Sequence, residues 1–450
     1  MMKKTKLALA ITTSMIAATP AMATNGDNLI GLGAQSRALG GTGVAAFFGS
    51  ENALSNPALL AKAKGNEISF GGTLFKPSVK TKSDIKKNMG DSNATGGYYT
   101  SSADTNIIPE VSIVTPISDN LSFGIGMFGS AGMGVDYSDS NELFNAQSNL
   151  QLMKFAPSLS YKTGNLGIGF SPVLQYGSLD INYKKQMTNS NGQPLFVQPA
   201  GNITTVQSLN PAIETVGSGV SSDLGWGYNI GGYMDIGKLT VGLSYQSPIN
   251  MKYKDQISTA GKGFNLTFGD ELEQPAEIAI GLAYQLGKLT LTGDFKQIKW
   301  ADAKGYKDFK WDNQNVIALG AKYQGKGFWL GAGFNKGDNP IKEQDGSRGT
   351  MTAQGSTNYQ NGAINMFNNI FFPATVEQHI TFGGGYSLSK TVSIDAAIVM
   401  ASESKTSVDT SAVSSSMAAA ASSGTITNVS STSTTKHSQI GYTVSVRYNF

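Results

Sequence analysis

From about Glu67 to the C-terminus, apolar and polar residues alternate in short runs separated by turn residues. This is the two-residue period of strands whose two faces meet different surroundings. The last residues show it most clearly. Ile440, Tyr442, Val444, Val446, Tyr448 and Phe450 fall on one face, and Gly441, Thr443, Ser445, Arg447 and Asn449 on the other. The same template predicts fourteen strands, at 67–79, 107–118, 121–134, 149–162, 166–184, 223–235, 239–254, 274–286, 288–301, 313–323, 327–337, 374–387, 391–402 and 438–450. Short turns at Asp119-Asn120, Gly164-Asn165, Gly237, Gly287, Gly325 and Leu388-Ser389 alternate with the longer segments 80–106, 135–148, 185–222, 255–273, 302–312, 338–373 and 403–437. In bacterial barrels an even strand count brings both ends to one side, with short turns periplasmic and long loops outside. The pattern therefore predicts an all-β, fourteen-stranded antiparallel transmembrane barrel.

A soluble sandwich produces the same alternation. Two features favour the membrane. No segment after the N-terminal stretch supplies the roughly 20 consecutive apolar residues of a spanning helix, so a membrane location requires a closed barrel. In addition, a strand ending on Phe450 resembles the C-terminal assembly signal of outer-membrane barrels. The N-terminus reads as an export signal. Lys3, Lys4 and Lys6 precede an apolar run from about Leu7 to Ala18, and Ala21-Met22-Ala23 has the small-x-small pattern of a cleavage site, so residues 1–23 are expected to be a signal peptide. Residues 24–62 are rich in Gly, Ala, Ser and Asn, lack helical or strand periodicity, and are expected to compact into a plug inside a barrel of residues 63–450. Loss of the three signal lysines would leave 31 basic against 31 acidic side chains. Such neutrality argues against a nucleic-acid partner. The absence of Cys removes disulfides and thiolate metal sites.

The junction SENALSNPALL from Ser50, with Asn56-Pro57-Ala58 as its signature, followed by EISFGGTLFKPSV from Glu67, resembles the hatch-to-first-strand junction of the FadL long-chain fatty-acid transporters of bacterial outer membranes. FGIGMFGSAGMG from Phe123, DLGWGYNIGGY from Asp223 and QPAEIAIGLAYQL from Gln274 resemble the family in the same order. The resemblance implies passive uptake of long-chain fatty acids or related hydrophobic molecules by a monomer among outer-membrane lipids, without a cofactor or metal. It also implies capture on outer loops, binding in the lumen, movement of the hatch, and sideways exit through an inward kink of the third strand. Gly129, Ser130, Ala131 and Gly132 occupy that place. A branch of the family takes up aromatic hydrocarbons. Readings from other classes are a general porin, an adhesin or structural barrel, and an outer-membrane enzyme.

Charged side chains facing lipid near the midplane cost about 2–4 kcal/mol, so strand parity assigns charges to the lumen. Lys154 points inward with Leu150 and Leu152; Asp294, Lys296 and Trp300 point inward, as do Glu110, Glu277 and Arg447. Lys310 and Asp312 follow if the strand at 313 extends back that far. Lys154, with Lys296 and Lys310 as weaker candidates, is expected to meet a ligand carboxylate; pairing of these charges across a wet lumen is the alternative. Apolar groups in the loops, Leu195-Phe196-Val197, Leu209 to Ile213, Met366-Phe367 and Ile370 to Phe372, either pack loop on loop or form a landing surface for an apolar ligand. The loop 403–437, almost wholly Ser, Ala, Thr and Val, is expected to be mobile. Enzyme chemistry finds little support. The GxGxxG match at Gly124, Gly126 and Gly129 lies within a predicted strand, the SxxK match from Ser387 lies in a turn, and only His379 and His437 are present.

Overall fold

The computed structural model describes residues 24–186, 196–197, 210–211, 213–352, 355–421 and 428–450. The expected signal peptide and most of the apolar groups at 195–197 and 209–213 lie outside the described residues. Fourteen long strands form: β1 Glu67–Ser83, β2 Asn106–Pro116, β3 Leu121–Asp136, β4 Gln147–Thr163, β5 Leu166–Gln186, β6 Ser221–Ile236, β7 Leu239–Gln246, β8 Glu277–Leu286, β9 Leu289–Ile298, β10 Gln314–Gln324, β11 Phe328–Gly337, β12 Gln378–Ser387, β13 Val392–Asp409 and β14 Thr432–Asn449. Each pairs antiparallel with its neighbours in sequence, and β14 returns to β1 from Asn449↔Glu67 to Ser433↔Ser83. Closure lets the backbone satisfy its own hydrogen bonds, which hydrocarbon surroundings require. Phe70, Ile168, Leu243, Leu282 and Leu319 point outward and are exposed, as a lipid-facing belt must be. No described helix is long and apolar enough to cross a membrane.

Residues 24–62 pack inside this wall. They contain a short helix α1, Gly33–Ala38, a helical turn at Asn52–Ser55, and a 3-10 turn at Pro57–Lys62. Nearly every residue of the segment is buried.

The outer loops cover the barrel's mouth. Helix α2, Tyr359–Phe371, buries Phe367, Ile370 and Phe371, and Phe372 follows it into the same cluster. Phe309 stacks on Phe372 at 5.6 Å, and Trp311 donates from its indole to the Asn368 side chain at 3.0 Å. The apolar group at 366–372 is therefore loop-on-loop packing, and no exposed landing surface is formed by it. The expectation of a mobile 403–437 is also corrected for its described part. β13 and β14 extend into it, and helix α3, Ser411–Ala421, fills the connection. Serine hydroxyls supply the order that apolar bulk does not: Ser414 and Ser415 both donate to the Val429 carbonyl, at 2.6 and 3.1 Å. Small residues also let α3 lie close to α2, where Val413 faces Gly362.

Candidate functional site

The 3-10 turn is started by Asn56-Pro57-Ala58. Pro fixes φ where no N–H is needed, and the Asn56 carboxamide oxygen accepts the Ala58 N–H at 3.1 Å. The Asn56 amide donates to the carbonyls of Val44, 2.6 Å, and Gly232, 3.1 Å, so one side chain ties two parts of the inner segment to β6. The wall makes room for this with glycine. A Cβ on Gly231 would overlap the Asn56 carboxamide, and one on Gly169 would overlap the Pro57-Ala58 peptide. Asn56→Ala leaves these buried carbonyls without their donor, a loss of roughly 1–3 kcal/mol. Uptake should fall in Asn56→Ala and Pro57→Ala while the unheated barrel keeps its folded gel mobility. Normal transport by both would reduce the tripeptide to a loop.

Three charged residues stand in the otherwise uncharged 24–60, and each finds a buried partner. Arg37 on α1 donates to Glu110 of β2 at 2.6 Å and to the Thr73 hydroxyl of β1 at 2.7 Å. Glu51 accepts from Arg447 of β14 at 3.1 Å. Arg447 also holds Glu67 at 2.8 Å, Asp395 at 3.2 Å and the Phe48 carbonyl at 2.6 Å. Asp27 accepts the Tyr306 hydroxyl beneath the outer loops and a longer bond from Gln274 at 3.4 Å. Burial pushes the Asp27 carboxyl up to about 6, against the pull of those donors. From the wall, Asp294 accepts the N–H groups of Gly43 and Val44 at 2.8 and 3.0 Å. None of these partnerships follows from strand periodicity. The isolated charges at 27, 37 and 51 were the available signal.

Between this segment and the wall lies a cavity of about 60 Å³, lined by Leu29, Leu32, Ser130, Lys154, Glu277 and Lys296 among others. Lys154 is buried on β4, and it makes no ion pair or hydrogen bond among the described residues; Lys296 of β9 stands 3.8 Å from Glu277 of β8. Gln175 of β5 lies directly opposite Lys154, and both polar atoms of its buried amide are unpartnered among the described residues. Leu150 and Leu152 are buried beside it and belong to one apolar cluster that continues through Met251, Tyr253 and Phe264 to Phe309 and Phe367 under the loops. Trp300 is buried in the same cluster, past the end of β9. It donates to Gln314 at 3.2 Å and sits so close over Gly26 that a Cβ there would overlap the ring. The parity expectation fails for Lys310 and Asp312. β10 begins only at Gln314, and both side chains are exposed in the loop before it, Lys310 with a positive φ of 63° and Asp312 paired with Lys342 at 3.7 Å. Among the described residues no group of His, Cys, Asp and Glu could hold a metal ion.

The wall changes at β3. From Ser122 to Phe128 the strand pairs with β2 on one side and β4 on the other. Beyond Phe128↔Glu110 the ladder to β2 stops, Ser130 is bulged out of register against β4, and residues 128–135 are all buried. Glycine and a bulge let the strand bend inward there. The edge so freed is taken by the inner segment. Ala131 pairs with Asn28, and the Gly132 N–H donates to the Asp27 carbonyl at 3.1 Å. The Ser130 hydroxyl is buried, has no partner among the described residues, and lines the Lys154 cavity. Gly129, Ser130, Ala131 and Gly132 thus all lie where β3 leaves β2.

This geometry has counterparts among solved structures. A Pseudomonas aeruginosa FadL homologue superposes with a TM-score of 0.68 at 14% identity, over 95% of this chain and 100% of that one. The P. putida toluene transporter TodX superposes with a TM-score of 0.63 at 20% identity, over 94% and 99%. At these identities the likeness is one of fold. In sequence the chain is 24% identical over 305 residues to the long-chain fatty acid transport protein of Escherichia coli K12, spanning 64% of each chain. It spans 40% of an uncharacterized Chlorobium limicola protein, at 47% identity over 81 residues. Residues 9–348 match the family described as outer membrane protein transport protein (OMPP1/FadL/TodX). With that match covering most of its length and a closed fourteen-stranded barrel to carry it, this chain belongs to the OMPP1/FadL/TodX family of outer-membrane transport proteins.

Proposed function

We propose that the protein carries hydrophobic molecules passively across the outer membrane, with long-chain fatty acids as the first substrate class, and that its work is transport rather than catalysis. The observation that carries this reading is the apolar cluster that runs from the loop aromatics through Leu150 and Leu152 to Ala156 and Val173, with the buried Lys154, unpaired among the described residues, beside it. An apolar tail would lie along that column while its carboxylate met the ammonium, a charge-assisted bond strengthened by the low local dielectric. The cavity of about 60 Å³ is far below the roughly 300 Å³ at which ligand pockets begin. Residues 24–62 therefore act as a hatch whose N-terminal part moves to admit the ligand, and the interruption between β2 and β3 is its exit toward lipid.

Uptake of labelled oleate by cells with and without the protein tests the reading, and absence of any difference would remove it. Lys154→Ala should weaken oleate binding by roughly tenfold or more, the 1.5–3 kcal/mol of a hydrogen bond to a charged group, and leave a neutral hydrocarbon unaffected. A second reading, uptake of aromatic hydrocarbons, is favoured by the occupied state of the other lumenal cations. Arg37 and Arg447 are both consumed by ion pairs with Glu110 and Glu51, Lys296 stands against Glu277, and Lys322 donates to Gln35, which leaves Lys154 as the cation beside the cavity with neither an ion pair nor a hydrogen bond among the described residues. If Lys154→Ala binds oleate as well as the parent and toluene binds tightly to both, the hydrocarbon reading replaces the acid one.

A further inference from the structure

The outward face of β13, β14 and β1 carries charge that neither the lumen nor the hatch uses. Lys405 lies directly opposite Lys436, and Lys436 directly opposite Lys80. Lys76 pairs with Ile440 and Lys82 with Thr434 on the same face. Lys76, Lys80 and Lys405 are exposed, and Lys82 and Lys436 are half-buried. Like charges directly opposed across strands repel. Among the described residues, the one ion pair made by any of the five is Lys436 with Glu403, at 3.4 Å. The ammonium groups of Lys82 and Lys436 both lie 5.4 Å from the ring of Tyr98, which holds them on this face.

The height of the patch identifies what it faces. Below it the same face is apolar, with Leu74, Tyr442, Ile398 and Met400 exposed to lipid. Lys76 is the next outward residue beyond Leu74, and Lys80 lies four residues farther along β1. At about 3.3 Å per residue and a strand tilt near 40°, Lys80 with its partners Lys436 and Lys405 stands about 10 Å above Lys76 at the edge of the apolar belt, and Lys82 about 15 Å above it. That is the polar interfacial layer on the loop side of the barrel, where the fixed anions are lipid headgroups. A soluble partner would meet the mouth and loops instead.

We propose that Lys80, Lys405 and Lys436, flanked by Lys76 and Lys82, bind the phosphate groups of the outer leaflet's phosphorylated glycolipid. Phosphate oxygens accept from several ammonium groups at once and cancel the repulsion within the row. The bound lipid would sit against the β13–β14–β1 wall, leaving the β2–β3 interruption on its other flank open to the membrane.

The probe is bisphosphorylated lipid A, titrated into the full-length protein in nanodiscs of uncharged phospholipid, with dephosphorylated lipid A as control. The parent should prefer the phosphorylated lipid by about tenfold or more, and added salt should weaken that preference. In Lys80→Gln/Lys405→Gln/Lys436→Gln the preference should fall to near parity, with unheated gel mobility and oleate binding unchanged. Since Lys80 is exposed, Lys80→Glu alone should reduce the preference in a barrel whose packing is untouched. A parent that binds both lipids equally overturns the proposal, as does a triple variant that keeps the phosphate preference. Because oleate binding is read separately, neither outcome depends on the transport reading.

Discussion

Arg447→Ala is expected to destabilise the barrel by about 3–5 kcal/mol, the cost of removing one partner from a buried ionic network, and to loosen the hatch in the same step. The guanidinium spans β14 to three carboxylates, Glu51 of the inner segment, Glu67 of β1 and Asp395 of β13, and also holds the Phe48 carbonyl. Without it, three acids share a buried space with no cation in direct contact, and they can relax only by taking up protons or by moving apart. Moving apart is easiest for Glu51, because its backbone belongs to the inner segment 24–62 and not to the sheet. The unheated barrel should unfold at lower temperature, and protease should cut within 43–51, which is buried in the parent. Arg447→Lys should recover only part of the loss, since an ammonium cannot supply the planar fork that reaches several acceptors. Adding Glu51→Gln and Asp395→Asn to Arg447→Ala should restore much of the stability by removing the repulsion. An unchanged melting temperature together with an intact hatch would show that the network contributes nothing.

The barrel was legible because lipid outside and water or protein inside force apolar and polar residues to alternate, and that alternation survives in the sequence. Where the environment stops differing between the two faces, the signal fails even though the sheet continues. β13 and β14 run on to Asp409 and Thr432 through Ser and Thr on both faces, with Lys405 and Lys436 outward, since above the hydrocarbon core nothing selects apolar residues for the outer side. The opposite error occurs after β7. Ile249, Met251 and Tyr253 keep the period of a strand, but Pro248 lacks an N–H, and the chain leaves the wall at Gln246 to bury those side chains inside. Parity also fails once a strand ends, which is why Lys310 points to solvent; Trp300, past the end of β9, is still buried inside, over Gly26 and against Gln314. Lys154 could be found because it lies mid-strand among residues of clear parity. Gln175, mid-strand on β5 opposite Lys154, was legible by the same parity; the contacts of Asp27 and Arg37 were not, because they depend on how an aperiodic segment folds against the wall.

The hatch and the β3 interruption lead to the largest expected effect on transport. Asn28 and Ala131 are direct partners across a short antiparallel bridge, and this bridge closes the edge that β3 loses when it parts from β2. Partners of this kind have Cα atoms about 4.5–5.5 Å apart, within the range a disulfide spans. The chain has no Cys of its own, so Asn28→Cys with Ala131→Cys creates a unique pair. Once oxidised, it ties the hatch N-terminus across the opening, and oleate uptake should fall to the level of cells without the protein. Reductant should restore uptake in the same cells, which separates a lock from damage by the substitutions themselves. Ala131→Trp supplies an independent obstruction. Ala131 is buried in the kink and does not line the Lys154 cavity, so a bulky ring there should stop passage through the wall while leaving Lys154 in place. Ser130→Trp is a poorer choice, because Ser130 lines the cavity itself and its replacement would confuse binding with exit. If the oxidised double variant still delivers oleate at the reduced rate, the hatch N-terminus need not leave β3, and the route cannot pass between β2 and β3.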